Sequence, residues 1–264
     1  MRAAAPYDLW RRHYTDEQFL NMRARYAAKV VFLDRWLGKV FDALDDLHLW
    51  EETLVILTTD HGTWNGDHGR MGKLGTHQYD GCSHIPFIAC HPKKGHGERR
   101  QQLVQLVDLY PTILAGVGRP LPPKIEAKPL HGINLIPLLE DEKSPTRQCA
   151  LMGMFGKSIS LTDGDWTLHQ SPLESNQPLY WHGYHLARFI DYDLGSFSEG
   201  RRPVKNCRSW DEPTSLHNRK DDPGESTNVS TSEPEQLVRM QTLLRDELIR
   251  LRAPEWQIKR LGLE

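Results

Sequence analysis

TLVILTTDHGTWNGDHGRMGK, residues Thr53 to Lys73, is the stretch whose reading decides the fold of this chain. Thr53 to Thr59 has strand character, and the unbroken apolar run Leu54 to Leu57 predicts a strand buried on both faces of a sheet. The chemistry then changes: Asp60 and His61 follow, and Gly62 lets the chain turn away. In open α/β sheets ligands sit just beyond the carboxyl ends of strands, which is where this pair stands. A carboxylate beside an imidazole forms a hard-to-borderline donor pair, suited to Ca²⁺, Mg²⁺, Mn²⁺ or Zn²⁺. The same three residues also fit an ordinary turn, with the aspartate as an Asx cap. The loop beyond them favours the ligand reading. Asp67, His68 and Lys73 are spaced by Gly66, Gly69 and Gly72, so polar groups can converge on an anion and a cation together.

Outward from this stretch, the chain reads as a mixed α/β protein. Thr15 and Gln18 form a capping box that opens a helix running to about Asp46. Tyr26, Val30, Leu33, Leu37, Val40, Phe41 and Leu44 give that helix an apolar seam at helical spacing, and Gly38 suits close packing. Ile85 to Cys90 reads as a second buried strand. His91 to Arg100 is a basic surface turn. Asp108 is placed to cap a short helix to Ala115, with Pro111 in its first turn and Gly116 ending it. Arg119 to Pro129 carries Pro120, Pro122, Pro123 and Pro129 and reads as a linker. Strands are expected over Gln148 to Phe155, Lys157 to Leu161 and Trp166 to His169, with a turn at Asp163-Gly164. Residues 171–214 show no period, and Thr214 to Arg219 returns to the sheet. Ser232 is placed to cap a final helix from about Glu235 to Arg252, buried through Leu237, Met240, Leu243, Leu244, Leu248 and Leu251.

Composition narrows the function classes. The 264 residues suit one large domain, or a domain with a subdomain. With 33 Lys+Arg against 35 Asp+Glu, the net charge of −2 gives no support for nucleic-acid binding. No apolar run approaches the ~20 residues of a membrane span. MRAAAPYDLWRRHY lacks an apolar h-region, so the chain as written reads as cytoplasmic, although an exported longer parent fits as well. Asn228-Val229-Ser230 is a glycosylation sequon that only export would use. Cys82, Cys90, Cys149 and Cys207 form no C-x-x-C pair and read as buried small hydrophobes rather than a zinc site or a disulfide framework.

The order Asp60-His61-Gly62, three residues, Gly66-Asp67-His68-Gly69, two residues, Gly72-Lys73 resembles the second half of the sulfatases, in the alkaline phosphatase superfamily. LVDLYPTILAGVG, HGINLIPLLEDEKSP, WTLH and DDPGE with Asn228 resemble further sulfatase segments, so the likeness runs from about Tyr26 to Leu251. It implies a partial alkaline-phosphatase-like α/β/α sandwich with a smaller C-terminal α+β subdomain. The implied division is 1–118 for the back half of the α/β domain, 119–145 for a linker and packing segment, and 146–264 for the subdomain.

The resemblance also implies a metal-dependent hydrolase of sulfuric esters. Asp60 and His61 would hold the divalent cation, Ca²⁺ first, with Mn²⁺ or Zn²⁺ open because His61 stands where asparagine favours calcium. Lys73 would contact the sulfate as a catalytic and substrate-binding residue, and His77 would face the substrate or only its loop. The substrate would be a sulfate-ester small molecule or a glycan. A phosphonate or phosphate ester hydrolase and a non-catalytic binding protein are the alternatives. The family's nucleophile, a formylglycine made from Cys or Ser in C/S-x-P/A-x-R, has no match around any of the four cysteines, and the paired upstream aspartates have none either. Two ligands fall short of the 6–8 oxygens Ca²⁺ takes as a rule. A missing N-terminal half or a homo-oligomer is the expected source of the rest.

Overall fold

A computed structural model describes residues 14–73, 77–94, 97–121, 130–144, 146–154, 156–182, 201–203 and 212–264. The first thirteen residues, most of the proline-rich linker, Phe155, Cys207 and much of the unassigned 171–214 stretch lie outside the described residues. The described chain forms two compact units, one built from residues up to 73 and from 81–147, the other from 77–80 and 148–264.

The first unit begins with α1, Asp16–Asp46, opened by the expected capping box: Gln18 N–H donates to the Thr15 hydroxyl (3.3 Å) and Thr15 N–H to the Gln18 side-chain carbonyl (2.9 Å). Its sheet has two strands, β1 (Val55–Thr58) antiparallel to β4 (Phe87–Cys90), in register from Val55↔Cys90 to Thr58↔Phe87. Between them lie the short pair β2 (Trp64–Asn65) and β3 (Met71–Gly72), and the single turn α2 (Asp80–Ser83). Then come α3 (Leu109–Gly116) and α4 (Ile136–Glu140).

Several expectations for this unit are corrected. β1 is half-buried along its whole length, not buried on both faces, because β4 is its single neighbour among the described residues. The seam of α1 is only partly covered: Leu37, Phe41 and Leu44 are half-buried, Val30 is 48%, Leu33 56% and Val40 54% exposed, and no residue of the helix is buried. Gly38 meets no close packing, since a Cβ there would find nothing within 4 Å. Gly116 is the last helical residue and not the terminator; Gly118, at φ +66, supplies the left-handed turn. Gly116 matters instead for space, because a Cβ there would stand 2.6 Å from the Leu54 side chain.

Asp108 does not cap α3 with its side chain. Fully buried, its carboxylate accepts from Gln105 N–H (2.7 Å) and Ile133 N–H (2.9 Å), and takes a bidentate Arg147 at 2.5 and 2.6 Å. That cluster ties three separate segments together.

The second unit is better packed. Four antiparallel strands run in the order β10-β7-β6-β5, with β5 Ala150–Gly153, β6 Ile159–Thr162, β7 Trp166–Gln170 and β10 Ser215–Asn218. A separate two-stranded pair joins β8 (Tyr180–His182) to β9 (Arg201–Pro203). Leu161, Leu168 and Leu216 face Met240, Leu244 and Leu248 of α5 (Pro234–Arg250), with Leu261 and Leu263 following α6 (Glu255–Arg260). This is the buried helical face read from the sequence. The expected cap is different: Glu233 is the N-cap without a side-chain bond, while Ser232 donates to the Val229 carbonyl (3.2 Å). Pro234 at the first helical position needs no hydrogen-bond partner for a missing N–H.

Candidate functional site

The turn after β1 holds two of the four expected site residues together. His61 Nε2 lies 3.2 Å from Asp60 Oδ2. The Asp60 side chain is 80% exposed and the His61 ring 37%. Asp60 Oδ1 accepts from the His61 N–H (3.0 Å). Desolvation pushes the Asp60 carboxyl up, but the charge of His61 and the bonds from backbone N–H groups and Thr59 outweigh it, so the group sits below its ordinary value.

On the other side of the ring, His61 Nδ1 is 2.7 Å from the Gly62 carbonyl. A carbonyl only accepts, so Nδ1 carries the proton and donates. Nε2 then faces Asp60 Oδ2, as a second donor when the ring is charged and with its lone pair when the ring is neutral. Fixing one ring nitrogen to orient the other is what metal-binding histidines need. Two acceptor atoms this close repel each other unless a proton or a cation stands with them.

The turn is fixed by its backbone. Gly62 N–H donates to the Cys82 carbonyl (2.8 Å), and a Cβ on Gly62 would stand 2.4 Å from the Gly81 carbonyl oxygen. Only glycine allows that approach. Trp64, Met71 and Cys82 are each at most 3% exposed, and Arg70 lies 5.4 Å from the Trp64 ring. Burial pushes the Cys82 thiol up, so it stays protonated. Asp67–Gly69 makes a single 3₁₀ turn with His68 at φ 52.

Lys73 ends this loop with an exposed side chain, in the same unit as Asp60 and His61. His77 belongs to the other unit and is 1% exposed. Its ring stacks on His169 of β7 at 4.7 Å, and His169 lies 5.4 Å from His217 of β10. This buried histidine cluster was not read from the sequence. The signal was faint: β-strand alternation turns His169 and His217 to a shared face of neighbouring strands, but only the pairing Ser215↔His169 and His217↔Thr167 reveals it. Among the described residues no group of three or more His, Cys, Asp or Glu could hold a metal ion.

Known proteins place the chain. The sulfatase family model matches residues 4–118. Arylsulfatase K of Xenopus laevis is 28% identical over 235 residues, which is 88% of this chain and 38% of that protein. A solved structure of a 2-O GAG sulfatase superposes with a TM-score of 0.66 at 20% identity, covering 91% of this chain and 46% of the other. The phosphonate monoester hydrolase of Agrobacterium radiobacter gives 0.63 at 23% identity, covering 91% and 43%. The chain thus spans about two fifths of the length of the Xenopus relative. Motif, fold and relatives agree: the chain is similar to sulfatases over residues 4–118 and shares the fold of solved sulfatase structures.

Proposed function

We propose that this chain carries the cation-and-sulfate half of the active site of a metal-dependent sulfuric ester hydrolase. The observation that supports this most is the exposed Asp60–His61 pair, with His61 Nδ1 committed to the Gly62 carbonyl and Nε2 set 3.2 Å from Asp60 Oδ2. The donor chemistry fits a divalent cation, Ca²⁺ first, with Mn²⁺ or Zn²⁺ accommodated by the imidazole. Two donors do not fill the 6–8 oxygen shell of Ca²⁺, so this chain alone binds it weakly. The cation, when bound, supplies Lewis-acid stabilisation of the sulfate oxygens. Lys73, which closes the same glycine-rich loop, adds an ammonium charge that neutralises oxygens gaining charge as the S–O bond breaks.

His77 takes no substrate contact in this reading, because its ring is enclosed in the histidine cluster. The remaining ligands and the nucleophile come from further polypeptide, either a preceding half or a partner chain. The edge of β1 left unpaired among the described residues and the exposed Val30, Leu33 and Val40 of α1 support the same requirement. The substrate class is a sulfated small molecule or glycan, in keeping with a structural neighbour described as a 2-O GAG sulfatase. The phosphonate hydrolase neighbour makes phosphonate esters the comparison substrate.

The test is turnover by the protein isolated from its own source, on matched sulfate and phosphonate esters, with Asp60→Ala and Lys73→Ala variants. Faster sulfate turnover that falls about 10²–10³-fold in Lys73→Ala supports the reading. Faster phosphonate turnover moves the chain to the alternative branch. Absence of turnover on both esters, with Asp60→Ala indistinguishable from the parent, would leave a non-catalytic binding protein.

A further inference from the structure

The histidine cluster of the second unit is used by nothing in the reading above and stands independently of it. His77, His169 and His217 are 1%, 0% and 3% exposed. Tyr79 packs its ring 4.4 Å from His169 and 5.7 Å from His217. The hydrogen bonds fix the form of the His77 ring. The Ser171 hydroxyl donates to the Glu212 carbonyl, so across 3.3 Å it accepts from His77 Nε2. His77 Nδ1 then faces the hydroxyls of Tyr79 (3.4 Å) and Ser215 (3.5 Å) as an acceptor. The Ser160 hydroxyl accepts Gln78 N–H (3.1 Å) and is hydrogen-bonded to His169 Nδ1 at 2.7 Å. The His77 ring is thus bonded as a neutral imidazole, with His169 stacked against it.

We propose that these stacked histidines form an acid-released latch, holding the 77–80 segment on the β6–β7–β10 face while neutral and freeing it once protonated. An imidazolium has two N–H donors and no acceptor, so a proton on His77 Nδ1 breaks the bonds it accepts from Tyr79 and Ser215. A second proton also places like charges in neighbouring rings 4.7 Å apart, out of contact with water.

The charged and titratable surroundings set how many protons the cluster tolerates. Glu212, at 3.8 Å from His77 Nδ1, can balance one positive charge at that end. The 77–80 segment itself brings Tyr79 and Asp80. Asp80 pairs with Arg219, and its N–H donates to Glu225 Oε2 at 2.7 Å. Burial pushes the Glu225 carboxyl up, which weakens it as a second counter-charge in the acid range where one would be needed. The released segment binds protons that the latched one refuses. Latching is therefore complete above the ordinary histidine range, near about 6.5, and weakens as pH falls through it.

The experiment is hydrogen exchange on the full chain between pH 7.5 and 5, corrected for the intrinsic pH dependence of exchange. Opening of the 77–80 amides should grow up to about tenfold per pH unit for each proton taken up, ahead of the β6 and β7 amides. In His169→Gln, which keeps a polar partner for Ser160, that growth should fall by about one proton's share. pH-independent opening at 77–80 in the parent, or an unchanged slope in His169→Gln, overturns the proposal. Should that variant misfold, an NMR titration of the parent's histidine rings replaces it. Rings that titrate only as 77–80 opens support the latch, and rings that titrate with the segment still protected overturn it.

Discussion

Asp108→Asn is the sharpest test of how the first unit is held together. The substitution keeps size and removes charge. In the parent, Oδ1 accepts from Ile133 N–H and one Arg147 nitrogen, and Oδ2 accepts from Gln105 N–H and the other. An asparagine turned either way presents its NH₂ to one backbone donor and one guanidinium donor. Two hydrogen bonds become donor–donor contacts, and the Arg147 side chain, 7% exposed, loses its counter-charge. Removing one partner of a buried pair costs about 3–5 kcal/mol, which lowers a urea midpoint by roughly 1–2 M. The assay is urea unfolding of the full chain, with hydrogen exchange over α3 to show which unit responds. Adding Arg147→Met removes the orphaned cation. The double variant should be more stable than the sum of the single losses predicts, by about 0.5–3 kcal/mol. A loss below about 1 kcal/mol for Asp108→Asn, or strict additivity in the double variant, refutes the reasoning.

Two further outcomes follow from the same physics. Gly62→Ala drives a Cβ into the Gly81 carbonyl, so the Asp60–His61 turn must shift; protease cleavage within residues 60–73 should accelerate while the second unit's core keeps its exchange protection. Glu225→Gln tests a pH dependence. Because burial raises the folded carboxyl above 4.5, the folded state holds that proton more tightly than the unfolded chain, and stability falls as pH rises past 4.5. The glutamine variant, free of that penalty, should match or exceed the parent's melting temperature at pH 7 and lose its advantage toward pH 4.5, as thermal scans at both values would show.

The sequence made some of this legible for identifiable reasons. Thr15 and Gln18 are a local signal, since three residues decide a cap whatever packs later. Met240, Leu244 and Leu248 repeat at one helical period against a complete sheet, so their burial followed. The seam of α1 has the same kind of pattern, yet Val30, Leu33 and Val40 on it are exposed, because periodicity states which face seeks cover and not whether cover is present. Asp108 looked like a cap because its partners, Ile133 and Arg147, are distant in sequence. At the site, Asp60, His61 and the glycines were readable from spacing. The orientation of the His61 ring was not, since it depends on the Gly62 carbonyl turning back. His77 read as a residue facing the substrate or only its loop, and its stacking on His169 required a pairing across 92 positions that no local rule supplies.

The central claim is that Asp60 and His61 form a cation site, and paramagnetic broadening by Mn²⁺ tests it most directly. Titrating Mn²⁺ into the isotopically labelled full chain should broaden the amides of His61 and Gly62 first, and the effect should disappear in Asp60→Ala. Broadening that begins instead at the acidic surface around Asp163, Asp165 and Asp221, and that Asp60→Ala leaves unchanged, would contradict the account.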